Sequence, residues 1–186
     1  MEKPTWRVRS SQYVVDSPHF RLRKDELELP DGHVIPEYFV RESEGFVIIF
    51  ALTPADEVVM IHQYRYGNDE VNLELPAGTL APGEDPLECA KRELAEETGY
   101  TSDTWQLIGA PFAEPSRSKS RMYAFLARDA RKTDVQNLDA SEVIDVTLLP
   151  RHEVQRLIHN AQIASLACTM TIYRALDILT SGPVSP

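Results

Sequence analysis

The stretch from Gly78 to Tyr100 constrains the fold most, because its second half carries helix signals at both ends. The signals are a capping residue, a proline suited to the first turn, an acidic partner that would complete a capping box, and a terminating glycine: Asp85, Pro86, Glu88 and Gly99. They predict a helix from Pro86 to Thr98 that follows a strand and a loop.

The two sides of this helix differ in chemistry. At about 100° per residue, three carboxylates share one face: Glu93, Glu96 and Glu97. An adjoining apolar stripe would pack on a sheet: Leu87, Ala90 and Leu94. One side of the helix should therefore face the core, and its neighbour should present clustered negative charge.

Clustered glutamates destabilise a helix unless a cation compensates their charge. Like charges at i,i+4 cost about 0.2–0.5 kcal/mol per pair. Hard cations such as Mg²⁺ favour carboxylate oxygens and often complete their shell with substrate phosphates. The face therefore predicts a divalent metal and phosphate chemistry, although a generic run of this kind is more often a solvated acidic surface.

A longer pattern contains these glutamates. It reads Gly, five residues, Glu, seven residues and then Arg-Glu-Leu-Ala-Glu-Glu-Thr-Gly-Tyr, from Gly78 to Tyr100. It matches every defined position of the Nudix box, so the chain resembles the Nudix hydrolases. The resemblance implies an α+β fold, an α/β/α sandwich with a mixed sheet, and Mg²⁺- or Mn²⁺-dependent hydrolysis of a nucleoside diphosphate linked to another group.

The resemblance also implies roles for individual residues. The metal ligands would be three side chains and one backbone carbonyl: Glu93, Glu96, Glu97 and Ala77. Arg92 and Glu84 would pair and brace the loop against the helix. The catalytic set implied by the box is thus Glu93, Glu97, Arg92 and Glu84.

Composition limits the partners and the setting. A formal charge of −10 argues against a general nucleic-acid surface, because such surfaces are usually basic. The longest uninterrupted apolar run, Phe46 to Leu52, is far shorter than the roughly 20 residues that span a bilayer. Two cysteines are too few for a disulfide framework. Without an apolar signal segment after Met1, we expect a cytoplasmic protein that binds neither membranes nor nucleic acids.

The order of predicted elements divides the chain into three parts. Residues 1–42 form an antiparallel strand unit, residues 43–180 form the box domain, and residues 181–186 form a flexible tail. Strands are predicted at 6–15, 20–29, 33–40, 46–52, 57–65, 71–75, 104–110, 122–127 and 143–148. Two later helices are predicted, from Pro150 or Arg151 to His159 and from Ala161 to Leu179.

The resemblance is greatest to the ADP-ribose pyrophosphatase branch, which hydrolyses nucleoside diphosphate sugars. Three features carry it: Gln63-Tyr64-Arg65, Glu74-Leu75-Pro76-Ala77-Gly78, and Pro115 sixteen residues beyond Gly99. The branch implies a homodimer formed through the N-terminal strand unit. It also implies that ADP-ribose is cleaved to AMP and ribose 5-phosphate.

Four residues are candidates for substrate binding. Arg65 would contact the diphosphate or terminal ribose, since a planar guanidinium has paired donors, and Glu74 would help to position the substrate. Phe20 would stack on the base, and Arg117 would bind phosphate. The plainer alternatives are a surface ion pair for the first two, a core aromatic for Phe20 and a solvated charge for Arg117.

One departure from the branch leaves the general base open. The loop Pro115–Arg121 lacks the glutamate that often activates the attacking water there. The base could instead be a box glutamate, Glu97 or Glu93, or a loop carboxylate, Glu114 or Glu142. Hydrolysis of another nucleotide sugar such as GDP-mannose, a non-catalytic nucleotide sensor, and an activity on nucleoside triphosphates or RNA therefore stay as alternatives.

Overall fold

The computed structural model describes residues 5–181, which separate into two compact units. One unit comprises the chain up to Glu44 together with Phe112–Ser120. It contains an antiparallel sheet in the order β1-β2-β3, formed by Arg7–Asp16, Arg21–Glu28 and Val34–Glu42. The Phe112–Ser120 segment joins this sheet, because the Arg41 amide donates to the Arg117 carbonyl at 2.8 Å.

Strand β1 is an edge strand, and all of its residues are exposed. Several large apolar side chains lie along it: Val8, Tyr13, Val14 and Val15. Strand β2, in the middle of the sheet, buries Asp25 and Leu27. An exposed edge with apolar side chains is a surface on which another strand or chain can pack.

The second unit comprises Gly45–Pro111 and Arg121 onward. Its strands are β4 Phe46–Ala51, β5 Glu57–Arg65, β6 Glu70–Glu74, β7 Ala77–Thr79, β8 Tyr100–Thr101, β9 Thr104–Gly109, β10 Met122–Arg128, β11 Arg131–Lys132 and β12 Ile144–Pro150. Its helices are α1 Pro86–Thr98, α2 Arg151–His159 and α3 Leu166–Ser181. The strands form a mixed sheet in the order β7-β4-β10-β9, an antiparallel sheet β12-β5-β6 and the small pair β11-β8.

Strand β4 lies between two hydrophobic cores. It pairs in parallel with β10 and antiparallel with β7. Ile48 and Phe50 enter one core with residues of α2 and α3, whereas Val47, Ile49 and Ala51 enter the other with residues of α1. Because side chains alternate along a strand, a continuous apolar run fills both sides. This arrangement confirms the predicted α+β sandwich.

Most predicted element boundaries agree with the structure within two residues, but α3 is an exception. The helix begins at Leu166 rather than at Ala161. Ala161 has a positive φ of 54°, and the Ser165 hydroxyl accepts a hydrogen bond from the Cys168 amide at 3.3 Å. Serine is a preferred N-cap, so it delays the helix start despite the apolar spacing. The predicted tail lies outside the described residues, apart from Ser181, which ends α3.

Three short strands were not predicted: β7, β8 and β11. Ala77 begins β7 and pairs with Ile48, in the segment between the predicted strand at 71–75 and the predicted helix. Such short segments carry no periodicity of their own and depend on pairing with distant strands. Within residues 5–181, no helix is long and apolar enough to cross a membrane.

Candidate active site

Helix α1 has the predicted ends. Asp85 is the N-cap, and its carboxylate accepts hydrogen bonds from the Leu87 and Glu88 amides at 2.9 and 3.2 Å. Gly99 adopts the left-handed conformation with a φ of 74° and ends the helix. The predicted capping box differs in one respect, because the Glu88 carboxylate pairs with Lys91 at 2.8 Å. The Asp85 cap and the terminal glycine therefore account for the ends of this helix.

The glutamates of α1 are buried to different degrees. Glu93 and Glu97 are buried, whereas Glu96 is half-buried. The Glu97 carboxylate accepts a hydrogen bond from the Ala77 amide at 3.0 Å, which connects the helix to β7. The pKa of Glu97 is raised to about 8, chiefly by burial and in part by the charges of Glu93 and Glu142, while the hydrogen bond from Ala77 lowers it. Burial also raises the pKa of Glu93.

Strand β7 approaches α1 closely at Gly78. A β-carbon at this position would lie 1.9 Å from the Glu93 carboxylate carbon and 2.1 and 2.3 Å from its oxygens. Any side chain at this position would therefore displace the Glu93 carboxylate. The requirement for glycine here is a matter of space.

Arg92 and Glu84 form the predicted pair. The Arg92 Nε lies 3.0 Å from one Glu84 oxygen, and Nη2 lies 3.3 Å from the other. The Ala81 amide also donates to Glu84, at 2.8 Å. The hydrogen bonds from Arg92 and from Ala81 lower the pKa of Glu84 to about 2. The guanidinium therefore holds the loop before α1 against the helix.

The same guanidinium also contacts two of the predicted metal ligands. Arg92 Nη1 lies 2.8 Å from Glu93 Oε1 and 2.9 Å from Glu96 Oε2. Among the side chains of residues 5–181, no three His, Cys, Asp or Glu groups are arranged to hold a metal ion. The donor chemistry nevertheless fits a hard cation, because buried carboxylates that repel each other converge where Gly78 leaves room.

A cavity of about 390 Å³ lies beside these carboxylates. Its lining comes from α1, β5, β7 and the loop after β11: Gln63, Arg65, Ala77, Gly78, Thr79, Arg92, Glu93, Glu96, Glu97, Asn137, Asp139 and Glu142. Glu142 was one of four carboxylates left open as the base. Asn137 and Asp139 were not predicted, because nothing in the sequence of their loop indicates that it packs near α1.

Arg65 lies at the end of β5 and is fixed by Glu74 of β6. Its Nε and Nη2 donate to one oxygen of Glu74, at 3.1 and 2.6 Å. Glu74 is buried, whereas the Arg65 side chain is 43% exposed. Arg65 also lines a second cavity of about 320 Å³, whose wall includes several apolar residues: Phe46, Ile48, Leu75, Ala77, Ala167 and Cys168. Glu74 therefore holds the Arg65 guanidinium in place, and the Arg65 side chain is accessible from both cavities.

The other predicted binding residues belong to the N-terminal unit. Phe20 is exposed in the turn after β1, and Arg117 is exposed in the Phe112–Ser120 segment. Glu114, an alternative base, accepts through its carbonyl the amide hydrogens of Arg117 and Ser118, at 3.0 and 2.8 Å. The roles of Phe20, Arg117 and Glu114 stay predictions.

Comparison with known proteins decides the family. The NUDIX domain matches residues 43–168 of this chain. The chain belongs to the Nudix family. A second match, the nucleoside diphosphate sugar hydrolase N-terminal domain, covers residues 6–40 of this Nudix protein. The family resemblance seen in the box is therefore confirmed.

Similar proteins cover most of this Nudix chain. A methanol dehydrogenase activator of Bacillus methanolicus is 32% identical over 77% of each chain. An ADP-ribose pyrophosphatase of Mycobacterium tuberculosis is 29% identical over 95% of this chain and 86% of its own. A GDP-mannose pyrophosphatase of Yersinia enterocolitica is 31% identical over 77% and 81%. The crystal structure of an ADP compounds hydrolase has a TM-score of 0.82 with 22% identity, covers 99% of this chain and 98% of its own, and confirms the fold.

Proposed function

We propose that this Nudix protein hydrolyses the diphosphate bond of a nucleoside diphosphate sugar and that its substrate is ADP-ribose. The observation that carries the proposal is the cavity that joins the α1 glutamates to Arg65 and to Glu142. Carboxylates suit a divalent cation, and a guanidinium suits a diphosphate. The similarity to an ADP-ribose pyrophosphatase over nearly the whole chain supports the choice of substrate.

We assign Mg²⁺ or Mn²⁺ to the carboxylate side of the cavity, held by Glu93, Glu96, Glu97 and the carbonyl of Ala77. A bound divalent cation supplies charge neutralisation at the diphosphate and lowers the pKa of a bound water. Arg92 Nη1 contacts one oxygen of Glu93 and one oxygen of Glu96, which leaves the other oxygen of each carboxylate for the metal. Glu84 holds Arg92 through two other nitrogens of the guanidinium.

Within this proposal, Glu142 is the general base. It lines the cavity together with Glu93 and Glu97, and its charge raises the pKa of both. A water oxygen adds to one phosphorus, the bond from that phosphorus to the bridging oxygen breaks, and the proton of the water passes to Glu142. The products are AMP and ribose 5-phosphate. Arg65 holds the diphosphate during the reaction, and Glu74 orients Arg65.

A substrate panel tests the proposal. Turnover is measured with ADP-ribose, GDP-mannose, UDP-glucose, NADH and a nucleoside triphosphate, each with Mg²⁺, with Mn²⁺ and with a chelator. We expect ADP-ribose to have the highest kcat/KM and the chelator to abolish turnover. A preference for GDP-mannose would support the second candidate, which the similarity to a GDP-mannose pyrophosphatase favours. Binding of ADP-ribose without turnover would support a nucleotide sensor instead.

We also propose that two copies of the chain associate through the N-terminal strand unit. The exposed edge strand β1, with apolar side chains such as Val8 and Val14, supports this assembly. Val14→Asp should convert the dimer to a monomer in analytical ultracentrifugation. The matched control is Val135→Asp, at an exposed valine outside this unit. A wild-type monomer at micromolar concentration would contradict the proposal.

The proposed location is the cytoplasm. Cys89 and Cys168 are both free and buried, which suits a reducing compartment. Fractionation of cells that produce the tagged protein tests this location. Recovery of the protein outside the cytoplasmic fraction would contradict it.

A further inference from the structure

A single loop donates hydrogen bonds to carbonyls at the end of α1 and to the carbonyl of its capping glycine. A helix ends with carbonyl groups that have no partner within the helix, and α1 has no basic residue in its last turn. The loop formed by residues 133–143, which we name the carboxylate loop, supplies donors instead. The Asn137 amide donates to the Glu96 carbonyl at 2.9 Å, and the Thr133 amide donates to the Gly99 carbonyl at 2.9 Å. The loop is thereby fixed to the helix that carries the proposed ligands.

Gln136 contacts the end of α1 through its side chain. Its Nε2 donates to the Glu97 carbonyl at 2.7 Å and to the Ile144 carbonyl at 3.1 Å. Ile144 is the first residue of β12. One amide group therefore connects the end of α1 to the start of β12. Because Gln136 bonds Ile144, it also holds together the two ends of the segment formed by residues 137–143.

That segment carries the two acidic residues that line the cavity, Asp139 and Glu142. They form a small turn of their own. The Asp139 amide donates to Glu142 Oε2 at 3.0 Å, and the Glu142 amide donates to the Asp139 carbonyl at 2.9 Å. The turn holds the Glu142 carboxylate to the loop. The Asn137 and Thr133 amides hold the loop to the end of α1, and Gln136 holds it both to α1 and to the start of β12. The position of Glu142 relative to Glu97 thus depends in part on the side-chain amide of Gln136.

We propose that Gln136 is a positioning residue, which fixes the Glu142 carboxylate relative to the α1 glutamates by bonding the Glu97 and Ile144 carbonyls. The inference rests on the proposed function, in which Glu142 accepts the proton of the attacking water. A primary amide suits this task because its two hydrogens reach two carbonyls without adding charge. Lysine or arginine could also donate to these carbonyls, but would bring a cation that competes for the nearby carboxylates.

Kinetics of Gln136→Met test the inference, because methionine has a similar length and no hydrogen to donate. We expect kcat to fall about tenfold or more, as two hydrogen bonds are lost, while KM changes less than about twofold. The control is Val135→Ala, which trims an exposed neighbour in the same loop and should leave both constants unchanged. If Gln136 acts through Glu142, Gln136→Met should reduce kcat much less in a Glu142→Gln background. Equal reductions in the two backgrounds would overturn the inference.

Amide hydrogen exchange gives a second readout that does not depend on turnover. In Gln136→Met, the Asp139 and Glu142 amides should exchange about tenfold faster or more, and amides within α2 should not change. Should the methionine variant fail to fold, Gln136→Glu, which also lacks the amide hydrogens, is measured in its place. Unchanged exchange of these loop amides would refute the inference even if the wild type cleaves ADP-ribose. Faster exchange in a protein that cleaves none of the panel would refute the proposed function alone.

Discussion

The Glu93 carboxylate occupies the space that a side chain at Gly78 would need, because a β-carbon at Gly78 would lie 1.9 Å from Glu93 Cδ. Gly78→Ala should therefore displace Glu93 and reduce kcat/KM about a hundredfold or more, as expected when a catalytic interaction is lost. Steady-state kinetics check this. The matched control is Gly67→Ala, because a β-carbon there meets no atom within 4 Å. Equal activity of the two variants would show that Glu93 has room to move.

Glu97 should be needed for turnover and dispensable for folding. Glu97→Gln keeps an oxygen that can accept the Ala77 amide and replaces a carboxyl group whose charged form is disfavoured by burial. We expect kcat to fall at least about a hundredfold and Tm to stay within about 4 °C of the wild type or to rise. Calorimetry and kinetics on the same preparation measure both. Retained activity, or an unfolded variant, would refute the role given to Glu97.

The pair of Arg65 and Glu74 should affect substrate binding. Glu74→Gln weakens the ion pair that orients the guanidinium, and we expect KM for ADP-ribose to rise about tenfold with a smaller change in kcat. Arg65→Lys replaces a planar fork by a single ammonium and should have at least as large an effect. An unchanged KM in both variants would show that Arg65 and Glu74 form only a structural ion pair.

Acid should remove the contribution of the Glu84 pair to stability. The pKa of Glu84 is about 2 in the folded protein, against an ordinary value of 4.5. A lowered pKa stabilises the folded state above pH 4.5, and this stabilisation is lost as the pH falls towards 2. The stability difference between wild type and Glu84→Gln should therefore shrink between pH 5 and about pH 2 in urea titrations. A difference that is independent of pH would show that the charge of Glu84 contributes nothing.

Gly99 should be less tolerant of substitution than Gly83, although both have positive φ angles of 74° and 77°. A β-carbon at Gly83 meets no atom within 4 Å, whereas one at Gly99 would lie 2.3 Å from the Asp134 carbonyl oxygen. Gly83→Ala should lower the free energy of unfolding by about 1 kcal/mol, because alanine disfavours this backbone conformation. Gly99→Ala should lower it by about 1–3 kcal/mol more, because the β-carbon also collides with the Asp134 carbonyl. Urea unfolding measures both. Similar losses would show that the carboxylate loop moves aside at little cost.

The sequence could predict those parts of the site whose causes are local. The ends of α1 follow from Asp85, Pro86 and Gly99, and the shared face of its glutamates follows from helical spacing. The predicted start of α3 at Ala161 was wrong, because the predicted helix was extended to residues before Ser165, the residue that caps the helix. The serine that directly precedes Leu166 would have indicated the later start.

The carboxylate loop could not be placed from the sequence, because its position depends on contacts between distant residues. Gln136 and Asn137 bond to carbonyls of Glu97 and Glu96, roughly forty positions earlier in the chain. No periodicity marks such contacts, and Asp139 and Glu142 look like ordinary loop charges. From the sequence Glu142 is one of four possible bases, and the structure shows that it lines the same cavity as Glu93 and Glu97.

The parallel pairing of β4 with β10 has a consequence for the speed of folding. Phe46 pairs with Met122 and Ala51 with Ala127, so the ladder joins two strands that are separated in the sequence by α1 and several other elements. Closing so long a loop lowers the chain entropy before the hydrogen bonds of the ladder can form. Folding is slower in proteins whose contacts join residues far apart in the sequence. The α1 segment can form early from its own caps, whereas the β4–β10 ladder should form late and limit the folding rate.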